Sequence, residues 1–433
     1  MKENTLTTDH LTNVLQRLDE KAALYSRMTA YYEGRQPLTF LSPEARAALN
    51  DRLTAVSVNV PRLLVDSISE RLRVTGCSRP DTWDDWTRND LDTMHRVAHR
   101  EALLLGDAYA IVWARPDGSP LVTVESATQV AVTAHPATRE VTSAVKRWEG
   151  KDGTHAVLYG PDKVERYHSP ATGATTAGFR LVETLDNPLG AVPVVWLRNG
   201  DRLVDRGISE MTDVLPLTDA LVKLTTDMLT ASEYAARPRR WASGVELVED
   251  AEGNVINPFP DTDRMMISEA HETKFGQLAG TDLAGYEAAV NVVMRQISAI
   301  SGLPEHLLGI GGDNPTSADS IRASEAALTA RAEARAGTFG KAWDRVGQLM
   351  TAVRHGTDPD TVDVRMTWAD PSTRSVAQEA DAIVKLHAAG ILPTTYALQR
   401  LGYDASQIEE IRVARRSEAL DTAGVDLAGL VTS

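Results

Sequence analysis

The stretch LAGYEAAVNVVMRQISAISGLP, residues 283–304, decides how the rest of this chain is read. Leu283, Tyr286, Val290, Val293, Ile297 and Ile300 recur at alternating spacings of three and four, so one apolar stripe runs the length of a helix that Gly302 closes. A stripe that long is made for packing against other helices. Upstream, Leu217, Leu221, Leu224 and Met228 repeat the pattern, and that helix is predicted to stop at Arg237-Pro238. Two apolar-faced rods, at 217–229 and 283–300, are thus separated by Arg239 to Gly280. This segment is richer in turn residues, with candidate strands at Val245–Val248 and Arg264–Ile267, and it reads as a small inserted module.

Beyond the second rod, Leu303 to Pro315 forms a loop of unusual length for a compact domain, including Gly309-Ile310-Gly311-Gly312. Thr316 or Ser317 then caps a very long helix bearing Ile321, Leu328, Ala332, Ala336, Phe339, Trp343, Val346, Met350 and Val353. At 1.5 Å per residue, 317–354 reaches roughly 55 Å. A strand is predicted at Val362–Trp368, followed by short helices around Val376–Ile383, over Thr394–Leu401, and from about Ser406.

Working outward to the N-terminus, helices are predicted from Thr8 or Asp9 to Gly34, from Ser42-Pro43-Glu44, from Asn59-Val60-Pro61 with Leu64, Ile68 and Leu72, and from Leu91 to Gly106. The period then changes. Ala108–Trp113, Leu121–Val124, Val141–Trp148, His155–Tyr159 and Val164–Tyr167 read as closely spaced strands joined by turns such as Asp117-Gly118 and Lys151-Asp152-Gly153, the mark of an antiparallel meander. Asn187-Pro188-Leu189-Gly190 and Pro193 mark an irregular crossing. The class is therefore α+β, with no doubly wound sheet.

Composition narrows the chemistry. In 433 residues, 42% are hydrophobic and 24% charged, which fits a folded globular chain and excludes a disordered or disulfide-built one. The first residues lack the apolar core of a signal peptide, and no apolar run approaches the ~18 residues of a membrane span, so a soluble, cytosolically made protein is expected. Cys77 is the sole cysteine, so no internal disulfide and no thiolate metal site exist. A formal charge of −15 argues against gripping phosphates, where each Lys or Arg would displace a counterion, and suits a surface along which nucleic acid slides.

Catalytic signatures are missing. No Walker-type phosphate loop occurs, so the chain does not power movement by ATP hydrolysis. The glycines at 309, 311 and 312 follow a helix and not a strand, unlike a dinucleotide loop. His271-Glu272-Thr273-Lys274-Phe275 lacks the second histidine of a zinc-protease motif, and no Gly-x-Ser-x-Gly elbow occurs. His95 and His99 share a helix face but read as helix positions without a third ligand. Asp84, Asp85, Asp90 and Asp92 read as a solvated helix start, with a two-metal nuclease as the rival. Arg237-Pro238-Arg239-Arg240-Trp241 is the densest basic spot, either a contact for nucleic acid or a partner, or a solvated turn capping a helix. No cofactor and no metal are expected.

Seven stretches occur in an order that resembles the portal family of tailed phages, notably its siphophage and actinophage branch. They are Tyr31-Tyr32-Glu33-Gly34, Val58-Asn59-Val60-Pro61, Gly106-Asp107-Ala108-Tyr109, Asn187-Pro188-Leu189-Gly190-Ala191-Val192-Pro193, Ser301-Gly302-Leu303-Pro304, Asn314-Pro315-Thr316-Ser317-Ala318 and Ala389-Gly390-Ile391-Leu392. The likeness runs over roughly residues 20 to 415.

The resemblance implies an elongated subunit of a ring, usually of twelve copies, with a mainly helical stem and crown, an α+β wing and a small α/β clip. Residues 1–208 would be the wing, 209–238 and 282–302 the stem helices, 239–281 the clip, 303–315 the tunnel loop, 316–370 a long helix and strand returning through the wing, and 371–433 the crown. It further implies a DNA channel for packaging and ejection, with the terminase large subunit and head–tail adaptor docking at the clip, in a virion assembled in the host cytoplasm beside major capsid and scaffold proteins. Expected contacts are Glu305, His306, Asp313 and Asn314 at the tunnel loop, and Arg239, Arg240 and Trp241 at the clip. Leu217, Leu221, Leu224, Tyr286, Val290, Val293, Ile297 and Ile300 are expected to pack the stem. A monomeric scaffold-binding head protein is the remaining alternative.

Overall fold

A computed structural model describes residues 2–37, 58–200, 202–203, 206–236, 240–245, 248–249, 254–256, 271–277, 283–310, 318–372, 376–401, 403 and 405–430. The fold is α+β. The chain divides into two compact units, one of residues 1–314 and 324–371, the other of 315–323 and 372–433.

The first unit opens on helix α1 (Lys2–Tyr32), which starts well before the expected caps Thr8 and Asp9. The helix start expected at Ser42-Pro43-Glu44 lies outside the described residues. Helix α2 (Val60–Ser69) begins where expected: the Asn59 side chain accepts from Arg62 N at 3.2 Å, and Pro61 sits in the first turn, where its missing N–H costs nothing. Strand β1 (Val74–Cys77) and helix α3 (Pro80–Arg88) follow, both absent from the sequence reading. Helix α4 (Leu91–Leu105) ends at Gly106 with φ +95°, a left-handed cap that glycine adopts without Cβ strain.

Strands β2 (Asp107–Ala114), β3 (Pro120–Ser126), β4 (Val130–Ala134), β5 (Val141–Gly150), β6 (Gly153–Tyr159), β7 (Lys163–Ser169), β8 (Arg180–Asp186) and β9 (Val194–Arg198) form two antiparallel sheets. Their orders are β3-β2-β9 and β4-β5-β6-β7-β8. The expected meander is divided between them: β2 and β3 belong to the first sheet, and β5, β6 and β7 to the second, which β4 and β8 extend. Helix α1 covers one face of the second: Leu11, Val14, Leu15 and Leu18 pack on Ala131, Val145, Ala156, Leu158 and Tyr167. The two-residue period of a strand places His155, Val157 and Tyr159 on the other face.

Helix α5 (Leu215–Ala236) leads to a module of two-stranded pairs, β10 (Arg240–Ser243) with β13 (Lys274–Gln277) and β11 (Val248–Glu249) with β12 (Val255–Ile256). Of the two strands expected here, Val248 belongs to β11 whereas Val245 is irregular, and Arg264–Ile267 lies outside the described residues. Helix α6 (Ala284–Ser301) returns from the module. Helix α7 (Ala318–His355) has 38 residues, about 57 Å at 1.5 Å each. Strand β14 (Met366–Trp368) pairs with β1 across nearly 300 residues of chain, on the order of two thirds of its length.

The main core joins these elements. Trp86, Phe339 and Trp343 are fully buried, with Leu64, Ile68, Leu72 and Leu103 around them. His95 and His99 belong to this core and are satisfied. His95 Nδ1 lies 2.6 Å from Leu91 O, and its Nε2 accepts from Val74 N. His99 Nδ1 reaches Leu72 O, and its Nε2 accepts from Trp343 Nε1 at 2.7 Å. Burial pushes the His99 pKa down to about 3, so the ring is neutral. Cys77 is half-buried against the same core.

The second unit contains α8 (Val376–Ala388), α9 (Thr394–Arg400) and α10 (Ala405–Leu430), with Ile383, Ala397 and Ile408 buried. Gly390, at φ +74°, turns α8 into the segment where His387 Nδ1 meets Leu392 O at 3.0 Å.

Candidate functional site

Helices α5 and α6 lie side by side and carry the two stripes. Their burial is graded. At the root, Leu221, Val222 and Ile297 are buried, while Leu217, Val290 and Val293 are partly covered by the main core. Leu224 and Tyr286 are half-buried. Ile300 remains 46% exposed and Val292 54%. Within the 18 residues of α6, only Ile297 and Ser301 are buried, so the chain covers the apolar stripe in part and leaves its end at Ile300 in solvent. On α5, Thr218, Thr225, Thr226 and Thr230 each donate to the carbonyl four residues back, which satisfies their hydroxyls inside the helix.

The root is held by buried polar groups. Glu210, just before α5, accepts from Arg335 Nε and from Arg331 Nη1 at 3.3 Å, both on α7, and from Asn199 Nδ2 at 3.1 Å. The other guanidinium nitrogen of Arg331 donates to Ile300 O at the end of α6, at 3.1 Å. One arginine therefore ties the entry of one helix to the exit of the other. Asp107 gathers a second set: Lys21 Nζ and Tyr25 OH at 3.0 Å, Trp196 Nε1 at 2.8 Å and Gly207 N at 2.9 Å. A side chain at Gly207 would meet the Gly106 carbonyl, which explains the glycine at this crossing. Tyr31 OH donates to Asp219 on α5 at 2.8 Å, and Tyr32 OH to Asp66 at 2.9 Å. Two of the quoted stretches, Tyr31-Tyr32 and Gly106-Asp107, thus act in this framework. Their partners lie up to 188 residues away, and no local pattern announces them.

The loop after α6 is built in at its start. Ser301 Oγ donates to Ile297 O and accepts from Leu303 N, Gly302 turns at φ +72°, and Leu303, Leu308 and Ile310 are buried in the main core. Residues 305–308 form one 3-10 turn, capped by Gly309 at φ +71°. Glu305 is exposed. His306 Nε2 stands 3.7 Å from Glu325, which also pairs with Arg71 at 3.0 Å. Asp313 and Asn314, and the expected caps Thr316 and Ser317, lie outside the described residues.

In the module, Trp241 pairs in register with Gly276, and any Cβ there would strike the indole, so the ring lies across the glycine. Trp241 and Phe275 are both exposed, at 45% and 42%, and the strand period puts them on opposite faces. Arg239 lies outside the described residues, and of Arg240 only the backbone, paired with Gln277, is described.

The four aspartates of the nuclease alternative do not converge. Asp85 is buried and held by Arg354 and Arg88, whereas Asp84, Asp90 and Asp92 are exposed. Among the described residues, one group of side chains could hold a metal ion: Asp152, His155 and His168 on the five-stranded sheet. The sequence reading missed it, because His155 and His168 come together only through the β6–β7 register.

Residues 11–419 match the family model "Phage portal protein, SPP1 Gp6-like". The chain is 31% identical to the "Portal protein" of Mycobacterium phage D29, covering 93% of this chain and 86% of that one. It is 30% identical to the "Portal protein" of Mycobacterium phage L5, covering 86% and 81%. Among solved structures, a chain from the neck of an empty GTA particle aligns over 85% of this chain and 96% of its own, at 15% identity and a TM-score of 0.47. One from the virion of a native gene transfer agent particle aligns over 87% and 98%, at 16% identity and 0.46.

Proposed function

The chain belongs to the phage portal protein family, SPP1 Gp6-like, and from that premise we propose that it is one of twelve subunits of a ring at a single capsid vertex, the channel for packaging and ejecting double-stranded DNA. Residues 1–208 form the wing, 209–238 and 282–302 the stem, 239–281 the clip, 303–315 the tunnel loop, 316–370 the return through the wing and 371–433 the crown. The ring is assembled in the host cytoplasm and resides in the virion among major capsid and scaffold proteins. It performs no catalysis.

The observation that carries this reading is the apolar surface that α6 keeps in solvent, with Ile300 at the end of the stripe and Val292 beside it each about half exposed. Burying such side chains stabilises by roughly 1.5–3 kcal/mol each, and a neighbouring copy is the surface that removes them from water. A heterologous contact repeated with a closing rotation makes a ring. Leu217, Leu221, Leu224, Tyr286, Val290, Val293, Ile297 and Ile300 pack the stem within and between subunits.

At −15 per chain, twelve copies carry roughly −180, a field that repels phosphates and leaves a duplex free to slide. Glu305, His306, Asp313 and Asn314 approach that duplex. Arg239, Arg240 and the exposed Trp241 face the head–tail adaptor and the terminase large subunit. Electron microscopy of the purified chain tests the proposal. Rings with an axial hole wide enough for a duplex are expected, and a uniform particle of one 47.0 kDa chain overturns it.

A further inference from the structure

We propose that Asp152, His155 and His168 form a binding site for a divalent transition-metal ion, zinc by the character of the donors, on the five-stranded sheet. His155 on β6 and His168 on β7 are direct cross-strand partners. Asp152 sits in the turn between β5 and β6, its carboxylate 2.9 Å from His155 Nε2 and 3.5 Å from His168 Nε2. The three ligand atoms all lie within 4.8 Å of one another. Bonds of about 2.0–2.2 Å from a tetrahedral zinc ion need ligand separations of about 3.4 Å, so side-chain rotations of small amplitude close the site.

Two features outside the ligands prepare it. The Trp148 ring stacks on His155 at 5.4 Å between centroids and 16° between planes, which fixes where Nε2 points. Gly150 opens the space. Its φ is not among the left-handed ones, so the turn does not demand glycine. A Cβ there would stand 2.7 Å from His155 Nε2 and 2.9 Å from the Asp152 carboxylate, inside the volume the ligands share.

Charge and access agree with geometry. Among the described residues, the partners of the Asp152 carboxylate are these two histidines, with no lysine or arginine paired to it. A cation bound there meets no competing fixed positive charge, on a chain of net charge −15. The histidines are about 30% exposed, which leaves a path for the ion and a fourth position for water. Two imidazoles with one carboxylate favour zinc, nickel or cobalt over magnesium or calcium, whose preferred ligands are oxygens. Once bound, the ion staples β6, β7 and the β5–β6 turn together at one end of the sheet.

The test uses the full chain without a histidine tag, stripped by a chelator and titrated calorimetrically with zinc chloride. One equivalent per chain is expected, with a dissociation constant of roughly micromolar order that weakens in acid, where protons compete with the metal for its ligands. Cobalt should give tetrahedral visible bands, and millimolar magnesium should not displace zinc. His168→Gln is expected to weaken zinc at least 30-fold with circular dichroism unchanged. Asp152→Asn, on an exposed turn that cannot unfold the sheet, serves as the second variant with a loss of about 10-fold. No saturable binding below about 100 µM zinc overturns the site, as does stoichiometric binding that survives both substitutions.

Discussion

The core around Trp343 and the helix pair α5–α6 use the same periodic apolar residues to opposite ends. Around Trp343, the chain completes its own packing: Trp86, Phe339 and Trp343 are fully buried, and even the imidazole of His99 finds two partners. On α6 the stripe is as regular, yet of its residues Ile297 alone is buried, Tyr286, Val290 and Val293 are half-buried, and Ile300 is 46% exposed. Periodicity therefore tells where a helix will bury surface, and burial in the isolated chain tells whether that surface is already spent. The difference marks which region folds the subunit and which, on the proposed reading, a second copy would cover.

Three substitutions, ranked by their effect on the stability of the single chain, and one change of pH sharpen the contrast. Trp343→Ala empties the centre of the core and strips His99 of its indole donor, so urea unfolding should show a loss of about 3–5 kcal/mol. Glu210→Ala removes the acceptor shared by Arg331 and Arg335 at the root of the pair. A loss of about 3 kcal/mol is expected, with earlier proteolysis of α5 and α6, and a loss below about 0.5 kcal/mol would show that the root does not anchor them.

Mild acid should act first on the core, whose buried histidines have no counterpart in α5 and α6. His99 is held neutral with its pKa lowered to about 3 by burial, against about 6.5 when unfolded, and His95 is lowered in the same direction. The unfolded chain then binds more protons between those values. This contribution is complete above pH 6.5 and declines as pH falls towards 3, by at most about 1.4 kcal/mol per pH unit for each histidine. Urea midpoints measured from pH 7 to 4 check the sign. Smallest for the chain itself is Val292→Asp. On an exposed helix position it should change single-chain stability by no more than about 0.5 kcal/mol, yet sedimentation should show assembly abolished.

Much of this was legible beforehand, for identifiable reasons. Asn59, Gly106 and Gly302 are local punctuation, and each ends or starts a helix where local rules place it. Strand β8 was not readable, because its RLVETLD sequence is exposed on both faces and lacks any apolar alternation. Helix α3 hid for a related reason: only Thr82, Asp85 and Trp86 of PDTWDDWTR are buried, and two of those are polar. Of the stripes, Leu221 and Ile297 are buried as a packing residue should be, whereas the exposure of Ile300 could not be foreseen, since periodicity does not say how much partner a chain supplies. The Asp107 and Glu210 clusters and the paired histidines depend on tertiary register, which sequence spacing does not encode.

The most direct test compares the reactivity of two engineered thiols in a Cys77→Ser background, Val292→Cys on α6 and Val182→Cys on β8, which is 68% exposed. If copies of α6 cover one another, maleimide should label Val292→Cys slowly in the native particle and quickly only after dissociation, while Val182→Cys labels quickly in both. Equal, fast labelling of the two positions in the native particle would contradict the account.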